Sequence, residues 1–209
     1  LFLLGALVIL VSEYGNAATF GPMSTGTKIL DALFLSASSR TAGFSTVDFG
    51  AMEQHTNFFL TWLMFIGGAS ASTAGGIKVN TFAVLMVAVL SSLGGKTHVT
   101  VFGREISQLQ VYRALAVLIM GLTMVLALAF LLTLSEGFPF IQVLFETVSA
   151  FATVGLSTGI TGELSQWGRL IIILTMFLGK VGPLTLALVL AQREQAALYR
   201  YAEERVRIG

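Results

Sequence analysis

Apolar positions in this chain fall into long blocks rather than into the alternation of a half-buried strand. The cleanest block, 114–132, carries no charge, and a helix crossing a bilayer needs roughly 20 such residues. Residues 1–12 form a second block. Residues 57–93 are charged only at Lys78 and are too long for one ordinary crossing; they enclose "GGASASTAGG" at 67–76. A last block, 167–192, is interrupted by Lys180, Gly182 and Pro183. Two shorter blocks, 29–39 and 139–151, each run straight into a Gly/Ser/Thr segment. They are too short to cross and too apolar to be surface loops, which predicts re-entrant half-helices.

The pattern repeats. A shift of 112 residues lays "TAGFST" (41–46) on "TVGLST" (153–158) and, without a gap, "MFIG" (64–67) on "MFLG" (176–179). The sequence therefore predicts two copies of span, half-helix, polar loop and span. Each copy crosses twice, so both enter from one side as parallel repeats about an axis along the membrane normal. Both polar loops then lie at one depth.

Composition sharpens this. Of 209 residues, 55% are hydrophobic and 11% charged, where soluble domains are about one quarter charged; an integral membrane protein is expected. No cysteine is present, which excludes disulfides, thiol catalysis and Cys-ligated metals. His55 and His98 stand far apart without companion ligands. The opening "LFLLGALVIL" reads as a helix entered partway, so the chain is expected to be part of a longer one. Basic residues gather between the copies (Lys96, Arg104, Arg113) and after the last span (Arg193, Arg200, Arg205, Arg207), whereas Glu13, Asp31, Asp48, Glu53, Glu136, Glu146 and Glu163 belong to the other side. The linker and tail are then cytosolic, and the loops open outward beneath an acidic mouth that concentrates cations.

Non-helical backbone at membrane depth is tolerated where it is buried in protein or lines a watery path. Gly43 and Gly155 free the backbone of "TAGFST" and "TVGLST". Carbonyls of Thr41, Ala42, Gly43, Phe44 and Ser45, and of Thr153, Val154, Gly155, Leu156 and Ser157, can then replace a cation's hydration shell. Hydroxyls of Thr41, Ser45, Thr153 and Ser157 can add oxygens, and each half-helix aims its partly negative C-terminal end at the same place. The chemistry suits a monovalent cation; the loops hold no carboxylate pair for a divalent one and no transition-metal set. The other reading of either loop is a small-residue packing patch.

Gly67, Gly68, Ala69, Ser70, Ala71, Ser72, Thr73, Ala74, Gly75 and Gly76 cannot hold a rigid helix in mid-span. They predict a break below the filter, serving as a gate or as a packing seam. A Walker A phosphate loop is excluded, because Lys78 follows Ile77 and no Ser or Thr follows it. Lys180 aligns with Gly68; a mid-membrane ammonium is functional by default, here as a barrier to cations below the filter, or as a structural salt bridge. Arg40 is expected to brace the first loop against Glu146, Asp31 or Asp48. Glu146 itself is expected to be structural.

With "GGASASTAGGIK" and "FLGKVGPLTL", these loops resemble the Trk/Ktr/HKT superfamily of potassium transporters over essentially the whole chain. "VYRALAV" and "EERVRIG" are most similar to its Ktr membrane subunits. The resemblance implies an all-α membrane protein carrying the third and fourth of four M1–pore-helix–filter–M2 repeats around one pseudo-fourfold pore. Residues 1–93 would be the third repeat (pore helix 29–39, filter 41–46, broken M2 with loop 67–78). Residues 94–108 would be a cytosolic linker, 109–192 the fourth repeat (pore helix 139–151, filter 153–158) and 193–209 a cytosolic tail. It implies potassium (or sodium) as the transported ion, a missing N-terminal half, a homodimer in the plasma membrane and a cytosolic nucleotide-binding ring of the KtrA type. Nucleotide would act through that ring, and no nucleic acid is involved. The intramembrane loop would be the gate and Lys180 the pore barrier. One glycine per loop, where tetrameric potassium channels carry TVGYG, implies weaker discrimination against sodium. A non-conducting assembly subunit is the alternative, and no catalytic constellation is present for an enzyme.

Overall fold

The computed structural model describes residues 1–69, 74–95, 98–101 and 103–182. The expected residues Ser70, Ala71, Ser72 and Thr73, the end of the last span and the tail 193–209 lie outside the described residues. The chain is mostly helical: α1 (Phe2–Glu13), α2 (Thr25–Ser38), α3 (Gln54–Phe65), α4 (Val79–Leu93), α5 (Gln108–Ser135), α6 (Phe140–Phe151) and α7 (Gln166–Val181). An antiparallel hairpin of β1 (Val99–Val101) and β2 (Arg104–Ile106) joins α4 to α5. An all-α reading of the linker omits this hairpin, which is closed at its base by His98 Nδ1 and Glu105 Oε1 at 2.9 Å.

Local chemistry sets the helix ends. Ser24 caps α2 by accepting the Thr27 amide, and Ser165 caps α7 by accepting the Gly168 amide, which satisfies donors that a first turn leaves free. The Ser24 cap starts α2 four residues before the apolar block at 29–39 begins. Pro139, with its fixed φ, stands before α6. Buried hydroxyls inside the helices donate to the carbonyl one turn back (Thr147 to Val143, Thr175 to Ile171), so no partner from another helix is needed.

Helix α2 packs on α1, α6 on α3, and α7 on α6. One core joins the two halves of the chain, with Leu60 and Met64 of α3 clustered with Phe145, Val148 and Phe151 of α6. Two carboxylates fasten helix ends. Glu13, ending α1, accepts the Glu53 amide at 3.0 Å beside α3. Glu136, just past α5, accepts the Ser165 amide at 3.2 Å beside α7. Large apolar side chains such as Leu3, Val11, Phe130 and Leu134 are exposed while Glu13, Thr147 and Thr175 are buried, the distribution of a protein solvated by lipid. Among the described residues one helix, α5, is long and apolar enough to cross a membrane by itself.

Candidate functional site: two glycine loops and the segment beneath them

The chain leaves α2 and α6 in the same way. Thr41 takes φ 84° and Gly43 φ 74°; Thr153 takes φ 54° and Gly155 φ 94°. Glycine adopts this region freely, but a β-branched residue there is an outlier that costs about 1–3 kcal/mol. Hydrogen bonds hold it. The Ala42 and Gly43 amides both donate to the Ser38 carbonyl, and those of Thr153 and Val154 donate to Ala150 and Ser149. The buried hydroxyls of Ser38 and Ser149 then reach forward: Ser38 Oγ donates to the Phe44 carbonyl, and Ser149 Oγ to the Leu156 carbonyl at 2.6 Å. Each loop is fastened at both ends, and the carbonyls of 41–43 and 153–155 lie between.

The loops face each other. A Cβ on Gly43 would stand 2.3 Å from the Val154 carbonyl oxygen, and one on Gly155 would stand 3.7 Å from Gly43 Cα. The hydroxyls expected to add oxygens are differently engaged. Ser45 donates to Val47 O, Ser157 donates to Glu146 at 2.6 Å, and Thr153 Oγ1 accepts from Gly75 N. A hydroxyl that donates elsewhere still has lone pairs to offer, although Ser157 Oγ gives one to the Gly159 amide at 2.9 Å.

Glu146 is 5% exposed. Its Oε1 accepts from Ser157 Oγ, Thr158 N (2.8 Å) and Thr158 Oγ1 (3.1 Å), and its Oε2 from Thr161 Oγ1 (2.6 Å). The expected brace from Arg40 is corrected. Among the described residues Arg40 forms no ion pair with Glu146, Asp31 or Asp48; neutral donors satisfy Glu146, and Asp48 accepts the Gly50 amide. Lys28 is buried, with Nζ donating to the Tyr14 carbonyl at 2.8 Å and lying over its ring.

Below the loops, the segment between α3 and α4 returns on itself. Ile66 and Ile77 pair in parallel, and the Gly67 amide donates to Ile77 O at 2.8 Å. The second limb abuts the start of the second loop. Gly75 N donates to Thr153 Oγ1 at 2.8 Å, and a Cβ on Gly75 would meet Thr153 Cγ2 at 2.7 Å. Gly76 at φ 67° sits against Ala152, and Gly179 of α7 against the Phe151 carbonyl. Gly67, Gly68, Ala69, Ala74, Gly75 and Gly76 are thus placed between α3 and α4. Lys78 reaches back to the Ala74 carbonyl. Lys180, in the last turn of α7, lines a cavity of about 560 Å³ with Glu146, Thr153, Gly155, Ser157 and Met176. Among the described residues no group of three or more His, Asp or Glu could hold a metal ion.

This geometry has relatives. The family described as TrkH, cation transport protein, matches residues 2–201. The chain is 43% identical over 203 residues to the Ktr system potassium uptake protein B of Bacillus subtilis, covering 97% of this chain and 45% of that protein. It is 44% identical over 209 residues to the protein of the same name from Vibrio alginolyticus, covering 100% and 46%. With the potassium/sodium uptake protein NtpJ of Enterococcus hirae it shares 36% over 217 residues, covering 100% and 48%. The solved potassium transporter TrkH from Vibrio parahaemolyticus superposes with a TM-score of 0.73 at 20% identity, over 91% of this chain and 42% of that one. The chain spans about half the length of the curated relatives it matches. These are names of transporters rather than enzymes, and with a family match over nearly its whole length the chain belongs to the TrkH family of cation transport proteins.

Proposed function

We propose that this chain supplies two filter loops of a transmembrane pore for potassium uptake. The single observation that carries the reading is the matched pair of loops: 112 residues apart, with the same positive-φ sites, each at the end of a half-length apolar helix and facing the other at Gly43 and Gly155. Ions would pass the carbonyls of 41–45 and 153–157, assisted by the negative helix ends. Relatives named for potassium uptake, and one for potassium/sodium uptake, support a monovalent cation with potassium preferred.

The two halves of the chain would be parallel repeats, and the packing between them suggests how the ring continues. Leu60 and Met64, which seat α6 on α3, correspond at the same offset to Ile172 and Met176, which line the cavity on α7. A pore helix from the remaining half of the transporter would sit there as α6 sits on α3. The linker and tail would face the cytosol, where a homodimer meets a nucleotide-binding regulatory ring. A single-copy mass in lipid discs would remove the dimer from this proposal.

Expression of the full-length transporter in a cell lacking potassium uptake should restore growth at low potassium, with potassium entry into liposomes by the purified protein. No rescue and no cation flux would sink the reading. The segment 67–78 would be the gate, and Lys180, which lines the cavity with Thr153 and Gly155, would raise a barrier beneath the filter. Lys180→Ala, or deletion of 69–75, should therefore increase potassium flux several-fold; a barrier of roughly 1 kcal/mol corresponds to about fivefold. Flux at or below wild type from protein of normal abundance would assign both features to packing.

A further inference from the structure

We propose that Glu146 is a positioning residue for cation recognition. Its carboxylate fixes the turn at 157–161, at the far end of the second loop, and keeps a negative charge there that raises cation occupancy. The inference rests on reading that loop as a filter. Three observations carry it. First, the side chain is almost wholly buried yet gathers four hydrogen bonds, in each of which it is the acceptor. Every donor is neutral, so the hydrogen bonds satisfy the oxygens without cancelling the charge. Second, the bonds fall on Ser157 and on the residues that follow it, and Ser149, one helical turn further along α6, holds the Leu156 carbonyl. One face of α6 thereby sets both the Leu156 carbonyl and the turn that follows it. Third, Glu146 lines the same cavity as Thr153, Gly155 and Ser157 and is bonded directly to Ser157, so its charge stands beside the loop, where a nearby cation feels it.

The device belongs to the second loop alone. At the corresponding position the first half carries Phe34, and the turn after the first loop is capped instead by Asp48 on the surface. Two loops matched in backbone thus differ in where the neighbouring carboxylate stands, buried against the second loop and on the surface past the first, and the ion would meet an asymmetric ring. Glu146 touches no ion in this account; it acts through the turn it holds and through its charge.

The test compares potassium uptake kinetics, the preference for potassium over sodium and membrane abundance in the full-length transporter and its Glu146→Gln, Glu146→Asp and Glu146→Ala variants. Gln keeps the shape and an oxygen for Ser157 and Thr158 but removes the charge. It should raise the potassium KM about tenfold, the scale of one lost partly screened charge, with Vmax and abundance retained and potassium preference reduced. Asp keeps the charge and should recover most of the affinity; Ala should lose both affinity and preference. Wild-type KM and preference in Glu146→Gln would overturn the inference. So would an equal fall of abundance and Vmax in all three variants at unchanged KM, which would leave Glu146 as a structural brace. A wild-type protein that moves no cation would fail before any variant is compared, and would take down the pore reading itself.

Discussion

Gly43→Ala will cripple cation uptake, while Gly155→Ala, the same change in the matching loop, will only weaken it. Both glycines hold positive φ (74° and 94°), and an alanine in that region costs about 1–2 kcal/mol. That penalty is common to both. The surroundings are not. At Gly155 the new Cβ would find Gly43 Cα at 3.7 Å, an ordinary contact; at Gly43 it would lie 2.3 Å from the Val154 carbonyl oxygen and 3.3 Å from its carbon. Backbone cannot swing aside as a side-chain tip does, so relief requires moving the second loop. Overpacking of this kind adds about 1–3 kcal/mol, and the moved atom is one of the carbonyls proposed to meet the ion. Gly43→Ala should therefore abolish saturable potassium uptake or erase the preference over sodium, with Gly155→Ala retaining uptake at reduced affinity. Kinetics on membranes of matched protein content decide it. Equal defects would mean that strain at φ, rather than the facing of the loops, governs both sites.

The contrast between these glycines marks where sequence reasoning stops. "TAGFST" and "TVGLST" stand out because uncharged, hydroxyl-rich segments have no ordinary place between apolar blocks, and the 112-residue shift pairs them. That shift says nothing of which loop crowds the other. It also assigned the unusual backbone to glycine alone, although Thr41 and Thr153 share it. Their position just past a helix end, where left-handed backbone is common, was the available signal. The serines that fasten the loops were hidden by register. Ser38 reaches six residues forward and Ser149 seven, and the shift lays Ser38 on Ala150. The clasping carboxylates were hidden likewise, since Glu13 and Glu136 stand 123 residues apart, the first half having a longer link between α1 and α2. "VSEYG" and "LSEGF" do carry the likeness, and a gapped comparison finds it. The four donors converging on Glu146 lie on the chain's return path and leave no spacing to read.

Gly179→Ala should prevent the protein from accumulating in the membrane, and Gly168→Ala, on the same helix, should be tolerated far better. Both sites look equally tight: an added Cβ would lie 1.8 Å from the Phe151 carbonyl oxygen at Gly179, and 2.3 Å from Glu136 Oε1 at Gly168. The difference lies in what must yield. At Gly168 the close atoms, Glu136 Oε1 and Cδ (2.9 Å), belong to a flexible side chain that can rotate away, giving up its hydrogen bonds to Ser165. At Gly179 the Phe151 carbonyl carbon (2.6 Å) and Cα (2.9 Å) are also too close, so α7 must retreat from α6 as a whole. Phe151 has nowhere to go. It is fully buried, its ring stacks on Phe65 with centroids 6.3 Å apart, and Gly121 of α5 lies beneath it. Among lipids, apolar surface gains little by moving from hydrocarbon to protein, so close approach over small residues is the main source of helix association. Forcing the helices apart removes that source at a place where α5, α7 and the segment after α3 converge, and the cost should reach about 3 kcal/mol or more. Abundance after solubilisation and thermal unfolding in detergent measure it. A Gly179→Ala protein as abundant and heat-stable as wild type would show that α7 does not rest on Phe151. Phe151 leads directly into Thr153 and Gly155, so whatever Gly179→Ala protein survives should also bind potassium more weakly, which Gly168→Ala should not.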